Sequence, residues 1–488
     1  MIQGIDYVAV APVLIVALAA LAVLLADLFD VPRSVLGWVN LAGLGVALGW
    51  VAVLGAGSRR ATFCLPSSLR GQGPPSCSYV ADSFTLLFQG LVLAAALIVV
   101  LLSLGEITRS SLPAGEYHFL LLSAIVGALT LVAARDLITL VVALETLSLP
   151  VFALVALRRY DGVATEAAVK LFLVSVISAA VMLFGISLVY GATGAMHLDR
   201  IALSLDHLPS RLGPVAAAGT ILVIGGFAFK VAAVPFHFWA PDVYQGAPLP
   251  IAVFLSVVSK AAGFAGLAIT LSLGFPSYGH VWGPAIAVLA ALTMTLGNLV
   301  ALWQRHSVRL LAWSSVAQSG YMLAPLAVGS HKLPGAVAAT VSYVALYAVM
   351  NLGAFAVVAA VARSRGPLLD DFQGLARRDP LLATALAFFL ICLAGLPPGI
   401  MGLFAKIVVV QATVAGGVTW LAVVMAVNTV IGLYYYLSWA ARLFRPTTSD
   451  VPVRTGNATG LAIAAAAAGA VVLSVAPQIV LDAVSAAT

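Results

Sequence analysis

Residues 230–266 read KVAAVPFHFWAPDVYQGAPLPIAVFLSVVSKAAGFAG, and the fold turns on this stretch. Lys230 closes one long apolar run, and Lys260 lies well inside the next. Between them, VPFHFWAPDVYQGAPLP is too rich in proline and glycine for an uninterrupted helix. Irregular backbone and buried charge survive at membrane depth only where they line a polar cavity inside protein. The stretch therefore predicts a broken membrane helix that carries ionisable chemistry.

Composition agrees. Of 488 residues, 62% are hydrophobic and 9% are charged, against roughly a quarter charged in soluble domains. The expected fold class is an all-α polytopic membrane protein. A window of roughly 20 apolar residues finds about fourteen spans. The first seven are Val8–Phe29, Val35–Leu54, Ser83–Ser103, Tyr117–Val132, Leu137–Leu157, Ala167–Tyr190 and Gly213–Val234. The others are Ile251–Leu273, Gly283–Trp303, Val308–Ala327, Gly335–Val361, Leu381–Gln411, Val418–Leu443 and Thr459–Leu481. The longest polar connection, Ala56–Asp82, is rich in Gly, Pro and Ser and reads as a loop. The start, MIQGIDYVAV, lacks a basic segment, so the first span is expected to stay rather than be removed as a leader.

The formal charge of +6 is scattered over short loops and makes no basic stripe, which excludes a nucleic-acid surface. Those loops read instead as topology determinants. With the N-terminus outside, the inner connections and adjoining ends hold Arg33, Arg109, Arg158, Arg159, Lys170, Arg305, Arg309, Arg363, Arg365, Arg377, Arg378, Arg442, Arg445 and Arg454. The outer ones hold only Arg59, Arg60, Arg70, Arg135, Arg200, Arg211 and Lys332. Both termini are expected outside. Cys64 and Cys77 then share an outer loop, where an oxidising compartment is expected to join them. No CxxC pair and no GxGxxG after a strand pattern is present, so no metal, iron-sulfur or dinucleotide site is expected.

Lysine is placed unusually. Of five lysines, Lys230, Lys260 and Lys406 sit in apolar stretches, and surface charge is left mostly to arginine. Lysine, unlike arginine, can surrender its proton when taken out of water. Glu145, in LITLVVALETLSLPVFALVAL, adds a carboxylate. Each ionised group at a helix centre costs roughly 2.5–3.5 kcal/mol, so these four must pair, neutralise or meet water. Their functional reading is a proton path, in which Glu145 holds Lys230 charged when close and releases it on separation. The bland readings are snorkelling for the lysines and a fixed helix-ordering ion pair for Glu145. Lys170 and Lys332 lie near span ends, where snorkelling or exposure is expected. His237 either relays protons or satisfies backbone carbonyls. Asp242 reads as a loop or capping residue, and His306 as solvent-exposed. Ser256, Ser259, Ser314, Ser315, Tyr343, Tyr347 and Asn351 either anchor waters or bond helix to helix. GFAFK (226–230) and GLFAK (402–406) each set glycine four residues before a lysine, with prolines close by, an echo that suggests paired interrupted helices.

These residues resemble a known family. The opening stretch looks like the signature region of the antiporter-like membrane subunits of proton-pumping NADH:quinone oxidoreductase, respiratory complex I. PDVYQGAP followed by FLSVVSKAAGFA is most similar to its subunit N branch. ALETLSLPVFAL around Glu145, VRLLAWSSVAQSGYML from Val308 and LAGLPPGIMGLFAK ending at Lys406 support the resemblance. It implies two inverted five-helix repeats, 117–273 and 283–443, each with a broken helix, after a three-helix segment (1–110) and before a C-terminal helix (457–488). It also implies Glu145 and Lys230 as a coupled pair, Lys260 as central relay, Lys406 as terminal loading site and His237 in the path. Gly399 and Ile400 depart from the threonine and alanine common after the paired prolines. Lys406 argues against the related subunit with glutamate there. The lack of a long C-terminal lateral helix argues against the largest homologue.

The implied function is a non-redox subunit of a proton-translocating enzyme in the bacterial cytoplasmic (inner) membrane. NADH, FMN, iron-sulfur clusters and quinone are expected on partner subunits, and the isolated chain is expected to oxidise no NADH. Expected neighbours are another antiporter-like subunit, small membrane subunits and lipid. The competing readings are a subunit of a multisubunit Na⁺/H⁺ antiporter, and a scaffold whose buried charges only fix helix packing.

Overall fold

The computed structural model describes residues 4–66, 75–108, 112–158, 160–446 and 452–487. Arg70, Arg109 and Arg159 of the charge bias lie outside them. The chain folds into an all-helical bundle: α1 (Tyr7–Leu28), α2 (Arg33–Gly55), α3 (Ser83–Ile107), α4 (Ala114–Leu131), α5 (Leu137–Ala156) and α6 (Gly162–Thr193) come first. Next come α7 (Leu198–Asp206), α8 (Gly213–Lys230), α9 (Trp239–Gly246), α10 (Leu249–Gly274), α11 (Gly279–Ala301) and α12 (Ser307–Leu323). The rest are α13 (Leu333–Ser364), α14 (Pro380–Ala394), α15 (Ile400–Ala415), α16 (Thr419–Leu443), α17 (Asn457–Val475) and α18 (Gln478–Ser485). Among the described residues, 12 helices are long and apolar enough to cross a membrane. The 17-residue α12 and the interrupted pair α14/α15 occupy the places of the other two expected spans.

Several acidic residues start helices. Asp6, Asp82, Asp136 and Asp161 accept first-turn backbone N–H groups of α1, α3, α5 and α6, each cap contributing about 1 kcal/mol. Glycine ends α6, where Gly194 adopts φ 67°. The centre of the bundle is α10 and α13, whose side chains are buried nearly all round, as expected for helices apolar on every face.

The structure corrects three boundaries. The span drawn to Val234 stops at Lys230. The span drawn through Gln411 breaks after Ala394 and resumes at Ile400. The last span ends at Val475, because Pro477 cannot continue the helix, and α18 turns away.

The Ala56–Asp82 connection is not wholly irregular. β1 (Arg60–Cys64) pairs antiparallel with β2 (Cys77–Ala81), and a disulfide joins Cys64 to Cys77 where the strands meet. The β2 backbone also bonds the α4–α5 turn, through Val80 N to Ala133 O (3.0 Å) and Arg135 N to Ser78 O (2.9 Å). That turn in turn holds the start of α7, with Leu198 N donating to Arg135 O at 3.0 Å. Arg135 is buried beneath, donating to Asp82 at 2.8 Å and to the Val132 and Ala134 carbonyls. The first and last described stretches meet this hairpin end: Asp6 pairs with Arg60 at 3.0 Å, and Ala487 lines a cavity with Asp82 and Arg135. At the opposite end Glu106 of α3 takes Arg158 at 3.0 Å and Arg363 of α13 at 2.9 Å. Sequence pattern could not show this staple, since it joins residues 257 apart.

Candidate functional site

Lys230 and Lys260 sit where a helix departs from regular α geometry, and Lys406, inside α15, reaches back to the end of α14. Lys230 is the last residue of α8; beyond it Ala232 has φ 56° and the chain runs through Pro235 before α9 resumes. The freed backbone groups find side-chain partners, as membrane depth demands. Ser319 of α12 donates to Val231 O at 2.7 Å, Thr293 of α11 accepts from Val234 N at 2.9 Å, and Trp239 donates to Phe229 O at 3.2 Å. The Lys230 stem lies over Gly263 of α10, where a Cβ would come within 3.0 Å of it.

The Lys230 ammonium donates to Ser148 Oγ at 2.9 Å, and Ser148 donates to Leu144 O at 2.6 Å. Ser148 is one helical turn beyond Glu145. Glu145 is only half-buried, yet its Oε1 is buried without a hydrogen-bond partner among the described residues. The expected direct pair is thus open: carboxylate and ammonium share a neighbourhood, and the lysine has turned to a neutral hydroxyl.

Lys260 comes directly after a π-helical turn, Leu255–Ser259, inside α10. Such turns shift the facing of the residues beyond them, and they recur at functional sites. Its ammonium donates to Ser315 O (2.6 Å) and Ser315 Oγ (2.5 Å) on α12, and lies 5.8 Å from the Tyr347 ring centroid. Tyr347 also donates to Ser315 Oγ at 2.8 Å, while Asn351 donates to Ser256 at 2.9 Å. Lys406 of α15 donates to Ala394 O, the last carbonyl of α14, at 2.6 Å, and lies 5.6 Å from the Tyr321 ring. A cation on the carbonyl end of a half-helix is favoured by the aligned peptide dipoles. All three ammoniums are buried and bonded to neutral oxygens, so snorkelling to an interface is not their geometry.

Between Lys260 and Lys406 runs a polar stripe on α12. Gln318 accepts from Tyr343 at 2.5 Å and donates to Tyr436 at 3.1 Å, and Tyr436 bonds Ser314. Tyr321 stacks on Tyr343 with centroids 6.1 Å apart and bonds Thr429 at 3.2 Å. Ser148, Gln318, Tyr321 and Tyr436 were not singled out from the sequence. The signal for α12 was present: Ser314, Ser315, Gln318, Ser319 and Tyr321 fall at spacings of one helical face.

His237 lies in the break, with its ring centroid 5.3 Å from that of Trp313 and its Nδ1 buried without a hydrogen-bond partner among the described residues. Asp242 is neither loop nor cap: it sits in the first turn of α9, bonded to Lys170 and Arg309. Lys170 is exposed as expected but paired, and Lys332 is exposed. His306 is half-buried instead of exposed, because its backbone bridges to Leu368. Cys392 is buried and free. The other two cysteines are joined.

The echoed glycines are close-approach positions. A Cβ on Gly226 would meet Met182 of α6 at 2.6 Å, and one on Gly402 would run into the backbone carbonyl of Cys392. Gly402→Ala is therefore expected to cost roughly 3 kcal/mol by overpacking and to lower the yield and thermal midpoint of the folded chain. Gly225→Ala, facing open space, is the control and should change neither. Equal behaviour of the two variants in a thermal melt would refute the packing account.

A bundle with two broken helices and a line of buried lysines defines an antiporter-type membrane subunit. The family described as NADH:quinone oxidoreductase/Mrp antiporter, transmembrane, matches residues 134–432. NADH-quinone oxidoreductase subunit N 2 of Streptomyces griseus is 56% identical over 467 residues, spanning 94% of this chain and 86% of that one. Subunit N of Salinispora tropica is 46% identical over 462 residues, 91% of this chain and 86% of its own. A chain of respiratory complex I from Thermus thermophilus superposes with TM-score 0.79 at 32% identity, over 98% of this chain and 100% of that one. A chain of the Mrp complex from Dietzia, at 21% identity and TM-score 0.84, covers 99% of this chain and 97% of its own and shares the fold. The chain belongs to the NADH-quinone oxidoreductase subunit N family.

Proposed function

We propose that this chain translocates protons as the subunit N of a bacterial NADH-quinone oxidoreductase, driven by electron transfer on other subunits. One observation carries the reading: three buried ammoniums on neutral partners, two of them flanking a cluster of tyrosine, serine and glutamine side chains on and around α12. Lysine held without a counter-ion is poised to exchange its proton, whereas a packing scaffold is served as well by apolar residues. Glu145 and Lys230 form the switch, with Ser148 as the alternative partner once the ion pair opens. Lys260 relays and Lys406 loads, and His237 connects the break to water.

The inverted repeats are 117–273 and 283–443, with α8/α9 and α14/α15 as their broken members. They follow an N-terminal segment (1–110), and a C-terminal helix (457–488) closes the chain. The hairpin end faces outward and both termini with it, because the opposite end carries most of the arginines. The membrane is the bacterial cytoplasmic one. NADH, FMN, iron-sulfur clusters and quinone reside on partner subunits, and another antiporter-like subunit and small membrane subunits adjoin this one.

Membrane vesicles bearing the assembled complex test the function against the Na⁺/H⁺ antiporter reading. NADH is expected to drive proton uptake equally with and without Na⁺. Proton movement driven by a Na⁺ gradient in the absence of NADH, and lost when this chain is deleted, would sink the reading.

A further inference from the structure

The half-helix α9 is held from two sides at one carboxylate. Asp242 Oδ2 accepts from Lys170 of α6 at 2.8 Å, and Oδ1 accepts from Arg309 of α12 at 2.7 Å. The same Arg309 nitrogen donates to Gln245 at 3.0 Å. One residue further on, Gly246 seats α9 against α6 so closely that a Cβ would meet Ala167 Cβ at 2.7 Å and Val163 O at 2.9 Å. By sequence position α6 precedes the break and α12 comes after α10, so this carboxylate joins two helices that the chain itself connects only at a distance.

We propose that Asp242 is a positioning residue: through Lys170 and Arg309 it fixes α9, and with it the broken segment carrying Lys230 and His237, against α12. The contacts form two rungs between the same two pieces of chain. Asp242 meets Arg309, and five residues earlier the His237 ring packs at a tilt against Trp313, one helical turn beyond Arg309. Further along α12, Ser315 holds Lys260 and Ser319 holds the Val231 carbonyl. Sliding α9 along α12 must therefore disturb the surroundings of Lys230 and His237. The clamp is also able to open. Lys170 has a second acceptor in Glu166 at 2.7 Å, and Arg309 has Gln245, so releasing Asp242 leaves neither cation bare. Partly exposed pairs such as these add little to stability; their effect here is on where α9 sits.

This inference rests on the proton-relay reading, and its test separates the two. Asp242→Asn is expected to leave an assembled complex that oxidises NADH but moves roughly two-fold fewer protons per NADH, and Asp242→Glu is expected to restore most of that ratio. Lys260→Met is measured beside them in the same vesicles. If Lys260→Met pumps normally, the relay itself fails. If it does not pump while Asp242→Asn keeps the wild-type ratio, the clamp alone is overturned. Asp242→Glu doing no better than Asp242→Asn would also overturn it, since a role through charge is rescued by charge. Should Asp242→Asn fail to assemble, Lys170→Gln and Arg309→Gln decide. Each is expected to lower the ratio, and a wild-type ratio in both would end the proposal.

Discussion

Lys260→Met is expected to leave the complex assembled and able to oxidise NADH while proton pumping through this chain falls at least about a hundred-fold, the lower bound for losing a positioned proton donor. Lys260 is 2% exposed, and among the described residues its ammonium is bonded only to the hydroxyl and carbonyl of Ser315, beside the Tyr347 ring. Methionine has similar length and no charge, so it removes the proton carrier without asking the apolar surroundings of α10 to accommodate new polarity. Ser315 keeps Tyr347 as donor to its hydroxyl, so no deep orphan is created there. A scaffold reading predicts the opposite, because relieving a buried unpaired charge is neutral or stabilising for packing. Lys260→Arg sharpens the contrast. Guanidinium keeps the charge but cannot release its proton in a protein, so a relay fails with arginine and a purely electrostatic role survives. Proton uptake and NADH oxidation measured in parallel in vesicles decide. Wild-type pumping in Lys260→Met, in a complex verified as assembled, would end the relay hypothesis.

What could be read from the sequence was what depends on cost. Lysine deep in an apolar run costs several kcal/mol wherever it lies, so Lys230, Lys260 and Lys406 announce themselves without a structure. Proline and glycine announce the breaks beside Lys230 and Lys406, because backbone restriction is local. The partners were not legible. Glu145 and Lys230 looked like a pair by charge alone, yet a serine one turn from the glutamate holds the lysine. Asp242 looked like a cap because its sequence neighbourhood is loop-like, while its cations come from positions 72 and 67 residues away. The hairpin at Arg60–Cys64 and Cys77–Ala81 was hidden for a related reason. Its strands are short, and they are ordered by pairing with each other and with the turn at Ala133–Arg135 rather than by a period of their own.

The second large effect is expected at Gln318, a residue with no charge to attract notice. Its amide accepts from Tyr343 at 2.5 Å and donates to Tyr436 at 3.1 Å, while Tyr436 reaches Ser314, next to the Ser315 that holds Lys260. On the other side Tyr343 stacks on Tyr321, whose ring lies beneath the Lys406 ammonium. The contacts named between the two lysines are thus hydroxyls, one amide and the stacked rings of Tyr343 and Tyr321. Gln318→Leu removes an acceptor and a donor at once and leaves two buried tyrosine hydroxyls short of a partner, each costing roughly 1–3 kcal/mol. Pumping should fall about as far as in Lys260→Met, with NADH oxidation retained. Gln318→Glu distinguishes a broken link from a general loss of packing. It keeps the acceptor for Tyr343 and most of the volume, but sets an anion between two cations. An anion there favours charged lysines on both sides and resists proton release, so Gln318→Glu should also lose pumping while assembling better than Gln318→Leu. If Gln318→Leu pumps at the wild-type ratio in an assembled complex, protons between Lys260 and Lys406 take a route other than this one.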